Sequence, residues 1–164
     1  MKVLYIKKAS RILAGHLWVY RQEIDSSLKD FKPGELVELR DRKDQFLGIG
    51  YVNPDSRISV RILSRKKEKI NYGFFEKRIT DAISYRKRVL PDIDSCRLIY
   101  SESDLLSGLI VDRYEDWLVI QSLTAGIDRF LKDIIEIIDK LINPSTIFLK
   151  NDSYQRTLEG IEQK

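Results

Sequence analysis

Basic side chains concentrate in two segments of the N-terminal half of the chain. One group surrounds residues 7–11, and the other occupies residues 57–67. Guanidinium and ammonium groups bind phosphate oxygens, and such contacts position a nucleic acid without reading its sequence. We therefore predict an RNA-contacting surface, although a merely solvated charged face is the alternative. The candidate RNA-binding residues are Lys7, Lys8, Arg11, Arg57, Arg61, Arg65, Lys66 and Lys67.

The charge of the chain is unevenly distributed. Residues 1–90 hold 21 lysines and arginines against 11 aspartates and glutamates, whereas residues 91–164 hold 8 against 14. A basic half followed by an acidic half indicates two modules, of which the first faces a polyanion.

The second basic group lies on a segment with strand periodicity. Ile58, Val60 and Ile62 alternate with polar residues, which predicts a half-buried strand over residues 57–63. On such a strand Arg57 and Arg61 share the wet face. The glycines of the preceding run, within residues 47–52, indicate a sheet that curls into a small barrel.

The remaining patterns give the element order. Short strands and tight turns fill residues 1–73 and predict a small β-barrel. Residues 74–92 are predicted to form a linker helix, which Asn71 caps. Residues 93–164 are predicted to form a β-β-β-α-β domain, in which an antiparallel sheet is layered with one long helix over residues 127–141. The fold class is therefore mixed β and α+β.

Catalytic and metal chemistry find little support. The chain has one histidine and one cysteine, so no metal cluster and no disulfide is expected. Cys96 lies in a module without histidine and is interpreted as a packed residue rather than a nucleophile. His16 is either a packed residue or an RNA contact. No signal peptide or membrane segment is recognised, which favours a cytoplasmic protein and no membrane partner.

Several motifs resemble a known family along essentially the whole chain. The N-terminal ones resemble the PUA domain of the bacterial large-subunit (23S) rRNA cytosine-C5 methyltransferases, which use S-adenosylmethionine. The later ones resemble the middle domain of that family. The matching segments are residues 11–20, 33–37 and 46–54 with Ser56, Ile58 and Arg61, then 102–104, 108–114, and 151–152 with Arg156, Glu159 and Gly160.

The resemblance implies an RNA-binding N-terminal portion of an rRNA methyltransferase. Family members continue into a Rossmann-like domain that binds S-adenosylmethionine and holds the catalytic cysteine, which Cys96 does not match. We therefore expect no catalytic, metal-binding or cofactor-binding residue in this chain, and no methyl transfer by it alone. The expected partner is RNA, in particular rRNA. A non-catalytic scaffold or a dimerisation module, which would form a homodimer, is the alternative.

One loop departs from the pattern of that family. Family members usually have glycines and a proline where this chain has Ser101, Leu106 and Ser107. A different backbone is therefore expected after Tyr100.

Overall fold

The computed structural model describes residues 1–163, which form two sheets with their associated helices. The first half of the chain contains β1 (Lys2–Ile6), α1 (Ser10–Leu13), β2 (Trp18–Val19), β3 (Glu35–Asp41), β4 (Phe46–Val52) and β5 (Val60–Ser64). The second half contains α2 (Tyr72–Val89), β6 (Ser95–Tyr100), β7 (Leu109–Tyr114), β8 (Trp117–Ser122), α3 (Ala125–Ile142), β9 (Thr146–Leu149) and α4 (Tyr154–Leu158). Two short 3₁₀ helices span Arg21–Glu23 and Ser101–Asp104.

The first sheet is a curled half-barrel with the strand order β1-β3-β4-β5-β2. Strands β1 and β3 are parallel, and irregular registers interrupt the pairing of β4 with both of its neighbours. At Gly50 a Cβ would lie 2.3 Å from the Arg61 carbonyl oxygen, so only glycine permits this close strand approach. The predicted barrel-like sheet is confirmed.

Strand β5 is shorter than the sequence pattern predicted. It begins at Val60 rather than at Arg57. The backbone amide of Asn53 donates to the Ser59 carbonyl oxygen at 2.8 Å, and this bond closes a loop over residues 54–58. Arg57 therefore lies on a loop, and the prediction that Arg57 and Arg61 share one strand face is wrong.

The second sheet has the order β6-β7-β8-β9, with α2 and α3 packed on one face. The first three strands are antiparallel as predicted, but β9 pairs parallel to β8. The predicted all-antiparallel sheet is therefore wrong at β9. Helix α3 returns the chain to the starting edge of β8, and a strand that follows such a crossover runs parallel.

Two hydrophobic clusters fill the molecule. One lies inside the curled sheet, and the other joins the second sheet to α2 and α3. Tyr51 and Leu63 come from the first sheet and yet belong to the second cluster, as does the buried face of α2. The helix at residues 74–92 is thus packed against the second sheet. The division into 1–73, 74–92 and 93–164 remains a prediction.

Candidate nucleic-acid interface

The first group of cations surrounds the short helix α1. Lys7 and Lys8 are exposed, and the Arg11 guanidinium lies 4.9 Å from the centre of the Tyr20 ring. Arg11 also approaches the Glu23 carboxylate at 3.5 Å. These contacts hold Arg11 in place, whereas Lys7 and Lys8 extend into solvent.

A small concavity brings Arg11 and Arg57 together across 46 residues of sequence. It has a volume of about 390 Å³, and Arg21 forms part of its wall. The Arg21 amide donates to the Arg57 carbonyl oxygen at 3.2 Å, and its guanidinium donates to the Pro54 carbonyl oxygen at 2.9 Å. Sequence reasoning missed Arg21, because an isolated arginine in a loop gives no periodic signal. Three guanidinium groups lining one concavity suit a phosphate.

The second group of cations follows β5. Arg65, Lys66 and Lys67 are exposed. The Lys67 ammonium lies 5.3 Å from the centre of the Phe46 ring, and Arg65 approaches the His16 carbonyl oxygen at 3.4 Å. Arg65 and Lys66 border a groove of about 790 Å³ between the loop after β5 and helix α2.

Arg61 is the exception among the eight candidates. Its side chain is only 3% exposed and forms a 2.7 Å ion pair with Glu159, which is equally buried. The predicted RNA contact by Arg61 is therefore wrong, because the C-terminal segment around α4 covers that face of β5. The other seven candidates remain predictions as RNA contacts.

Glu159 organises a polar cluster at the junction of the two modules. Its carboxylate accepts hydrogen bonds from the side-chain amide of Asn53 at 3.0 Å, from the Ser56 hydroxyl at 2.7 Å and from the Arg61 guanidinium at 2.7 Å. Asn53 also donates to the Glu159 backbone carbonyl at 2.8 Å. One carboxylate thus binds polar groups from the 53–59 loop and from β5, while Arg61 Nε and Nη1 are buried without a hydrogen-bond partner among residues 1–163.

A second arginine anchors the same C-terminal segment. Arg156 is fully buried and donates to both carboxylate oxygens of Asp128, at 2.8 and 3.0 Å. Asp128 lies in the first turn of α3, where a carboxylate also favours the helix dipole. The polar tail of the sequence is therefore a structural strap across the module boundary.

Two aromatic side chains also join the modules. The Tyr51 hydroxyl lies 2.8 Å from both the Ser107 carbonyl oxygen and the Thr124 hydroxyl, and burial raises the pKa of that phenol. The Trp18 indole donates to the Glu102 carboxylate at 2.8 Å. Burial alone would raise the pKa of Glu102, but hydrogen bonds from Ser101, Ser107 and Trp18 hold it below its usual range.

The loop after Tyr100 has a left-handed backbone conformation at two residues that are not glycine. Ser101 and Leu105 adopt φ angles of 47° and 59°, in the left-handed region that glycine adopts most easily. The backbone at Ser101 therefore takes a glycine-like conformation although its residue is not glycine.

Within residues 1–163 no cluster of three or more histidine, cysteine or acidic residues is arranged to hold a metal ion. Cys96 is half-buried, and His16 is exposed rather than packed. No helix in that range is long and apolar enough to cross a membrane.

Comparison with known proteins supports the fold of the first module. Residues 4–65 match the family model of the PUA-like domain. The first module is PUA-like. We call residues 1–73 the PUA-like module and residues 74–163 the second module.

The chain as a whole is similar to bacterial rRNA methyltransferases. It is 30% identical to the Ribosomal RNA large subunit methyltransferase I of Tolumonas auensis over 98% of this chain and 42% of that protein. It is 36% identical to the enzyme of the same name from Photobacterium profundum, over 91% of this chain and 38% of that protein. The chain thus spans about 40% of the length of these relatives.

A solved structure has the same fold. SMU.776, provisionally named a methyltransferase and complexed with SAH, superposes with a TM-score of 0.78 at 16% sequence identity. The superposition covers 91% of this chain and 40% of SMU.776.

The described residues do not form an S-adenosylmethionine site. Nucleotide-type cofactors bind in open α/β sheets at a glycine-rich turn before a helix N-terminus. The junction of β8 and α3 leads into a helix N-terminus but offers a single glycine, Gly126. Tyr51 packs directly against Gly126, and Arg156 binds Asp128 in the first turn of α3. The N-terminus of α3 is thus covered by protein.

Proposed function

We propose that this chain is the RNA-binding N-terminal portion of an S-adenosylmethionine-dependent rRNA methyltransferase that modifies cytosine at C5. Its role is to position rRNA for a catalytic domain that the described residues do not provide. The chain alone is expected to transfer no methyl group, and its setting is expected to be cytoplasmic.

The observation that supports this proposal most directly is the exposed cationic surface of the PUA-like module. Lys7, Lys8 and Arg57 are exposed and form no ion pair with any of residues 1–163. A surface that neutralises phosphates releases counterions, so its affinity falls steeply with salt. The similarity to rRNA methyltransferases over nearly the whole chain supports rRNA as the polyanion in this proposal.

A salt titration of rRNA binding tests the proposal. The K7A/K8A/R57A variant should bind an rRNA fragment with lower affinity, and its plot of log affinity against log salt should have a slope smaller by about 2–3. Fluorescence anisotropy at salt concentrations from about 50 to about 200 mM measures both quantities, because affinity from phosphate contacts falls steeply over that range.

A charge-matched control separates surface location from net charge. The R129A/K132A/K150A variant removes three exposed cations from the second module and should keep the wild-type slope. Absence of RNA binding at low salt, or equal slopes for the two triple variants, would overturn the proposal. Homodimerisation stays a prediction, which the exposed Trp117 and Phe148 rings on the second sheet favour.

A further inference from the structure

The groove between the two modules combines an apolar lining with a cationic rim. It lies between the loop after β5, helix α2 and the Ser101–Asp104 turn, and its volume of about 790 Å³ is within the usual range of ligand sites. Its apolar lining residues are Leu17, Ile62, Leu63, Phe74, Ala82 and Leu105.

Two lysines of the rim are free to bind an anion. Lys66 and Lys69 are exposed and form no ion pair with any of residues 1–163. Among the other cations of the groove, Lys77 pairs with Asp81 at 2.7 Å and Arg78 donates to the Leu63 carbonyl oxygen at 2.8 Å. Arg65 is exposed and approaches the His16 carbonyl oxygen at 3.4 Å. The two lysines therefore offer positive charge to a phosphate group, beside the Glu68 carboxylate that also lines the groove.

Two exposed apolar side chains border the same groove. Tyr85 lies on α2 with 48% of its surface exposed, and Leu105 is 46% exposed. An exposed tyrosine ring offers a stacking surface for a nucleobase. The guanidinium of Arg88 lies 5.6 Å from the centre of that ring and adds a further cation nearby.

Leu105, which lines the groove, has a strained backbone conformation. Its φ angle of 59° lies in the left-handed region, which is unfavourable for a leucine. The conformation is held because the Leu105 amide donates to the Glu102 carbonyl oxygen at 3.0 Å, and its carbonyl accepts from Arg78 at 3.3 Å. Strain retained at an exposed apolar residue indicates a binding role.

We infer that this groove binds one unpaired nucleotide of the RNA, with the base against Tyr85 and Leu105 and the phosphate at Lys66 and Lys69. The inference rests on the proposed RNA-binding function and adds a preference for single-stranded RNA. A paired base is stacked inside its duplex and cannot enter the groove.

The test uses the full chain and a single-stranded RNA oligonucleotide that contains 2-aminopurine, whose fluorescence falls when the base stacks. Wild-type protein should quench this fluorescence and bind the single strand more tightly than the matching duplex. Y85A should weaken binding of the single strand by roughly 5- to 100-fold, as expected for losing one stacked base. Tyr85→Phe should retain both binding and quenching, because the ring remains.

A second variant reports on the other wall of the groove. Glycine adopts the φ angle of Leu105 without strain, so L105G removes the side chain while the turn is preserved. It should keep the wild-type melting temperature or raise it, and should reduce quenching.

Y114A is the matched control for Y85A, since Tyr114 is 56% exposed on the second sheet outside the groove.

The outcomes separate this inference from the proposed function. Wild-type protein that binds RNA, but whose affinity and quenching are unchanged in Y85A and L105G, overturns the groove assignment alone. Equal affinity for single strand and duplex also overturns it. Failure of the wild-type chain to bind any RNA at low salt overturns both.

Discussion

At the scale of single residues, burial decides what each charge does. Arg57 and Arg61 are four positions apart, yet one is exposed on a loop and the other is enclosed with Glu159. An exposed guanidinium can exchange water for a phosphate, whereas a buried one must keep its internal partner. Arg61 is therefore a structural residue, whereas Arg11, Arg57 and Arg65 remain predicted RNA contacts.

Glu102 gives a pH-dependent prediction at the same scale. Because its folded pKa lies below the ordinary 4.5, its carboxylate stabilises the folded chain above that value. This contribution should be lost as the pH falls through the lower folded pKa. Urea unfolding at a series of pH values should show E102Q losing less stability than wild type between about pH 5 and pH 3.

Trp18 reports the same protonation directly, since its indole donates to that carboxylate. In a W117F background the remaining tryptophan emission should change over this acidic range, and E102Q should abolish the change. Glu115→Gln, at an exposed turn, should leave both profiles as in wild type. Identical pH profiles for E102Q and wild type would contradict the assignment.

At the scale of elements, close packing joins the start of α3 to the curled sheet. A Cβ at Gly126 would lie 2.1 Å from a Tyr51 ring carbon, so no side chain fits between the helix and the ring. Tyr51 in turn bonds Thr124, whose hydroxyl also caps α3. One contact thus fixes both the helix start and the position of the helix against the PUA-like module.

Glycine substitutions in the two long helices should therefore have opposite effects. G126A should lower the free energy of unfolding by about 1–3 kcal/mol, because the added methyl overpacks the ring. G73A should raise it by about 0.5–1 kcal/mol, since the nearest atom to an added Cβ, Asn71 Oδ1, is 3.7 Å away and alanine favours a helix. Chemical denaturation measures both, and a stable G126A would contradict the packing described.

At the scale of the whole molecule, the C-terminal segment couples the two modules. Glu159 contacts the PUA-like module while Arg156 contacts α3 and β8, so a few residues fasten both sides. Trp18 and Tyr51 add two further polar links. These links fix the position of the PUA-like module relative to the second module. An RNA that contacted both the cationic surface and the groove would need that fixed position.

Removing the central carboxylate should weaken that coupling. E159A leaves the buried Arg61 charge unpaired, which costs about 3–5 kcal/mol. We expect wild type to unfold in one cooperative transition, and E159A to show two transitions, with tryptophan fluorescence and far-UV circular dichroism no longer coinciding. E162A, at an exposed position whose backbone alone contacts Arg156, should unfold like wild type.

Local sequence patterns were sufficient for the element types and the general chemistry. The alternation around Val60, the Asn71 cap and the spacing of apolar residues in α3 each depend on near neighbours, and each predicted its element. The boundaries were less exact, because hydrogen bonds such as that from Asn53 to Ser59 set where β5 begins.

By itself, the sequence indicated a basic, barrel-like first module and a sheet-and-helix second module, and it predicted no catalytic constellation. Only the tertiary structure decided which of the basic residues reach solvent. Arg61 and Glu159 are 98 positions apart, and a strand pattern shows that two faces alternate without showing which face a distant segment covers. The same holds for the groove, whose walls meet only when the loop after β5, α2 and the turn at Leu105 pack together.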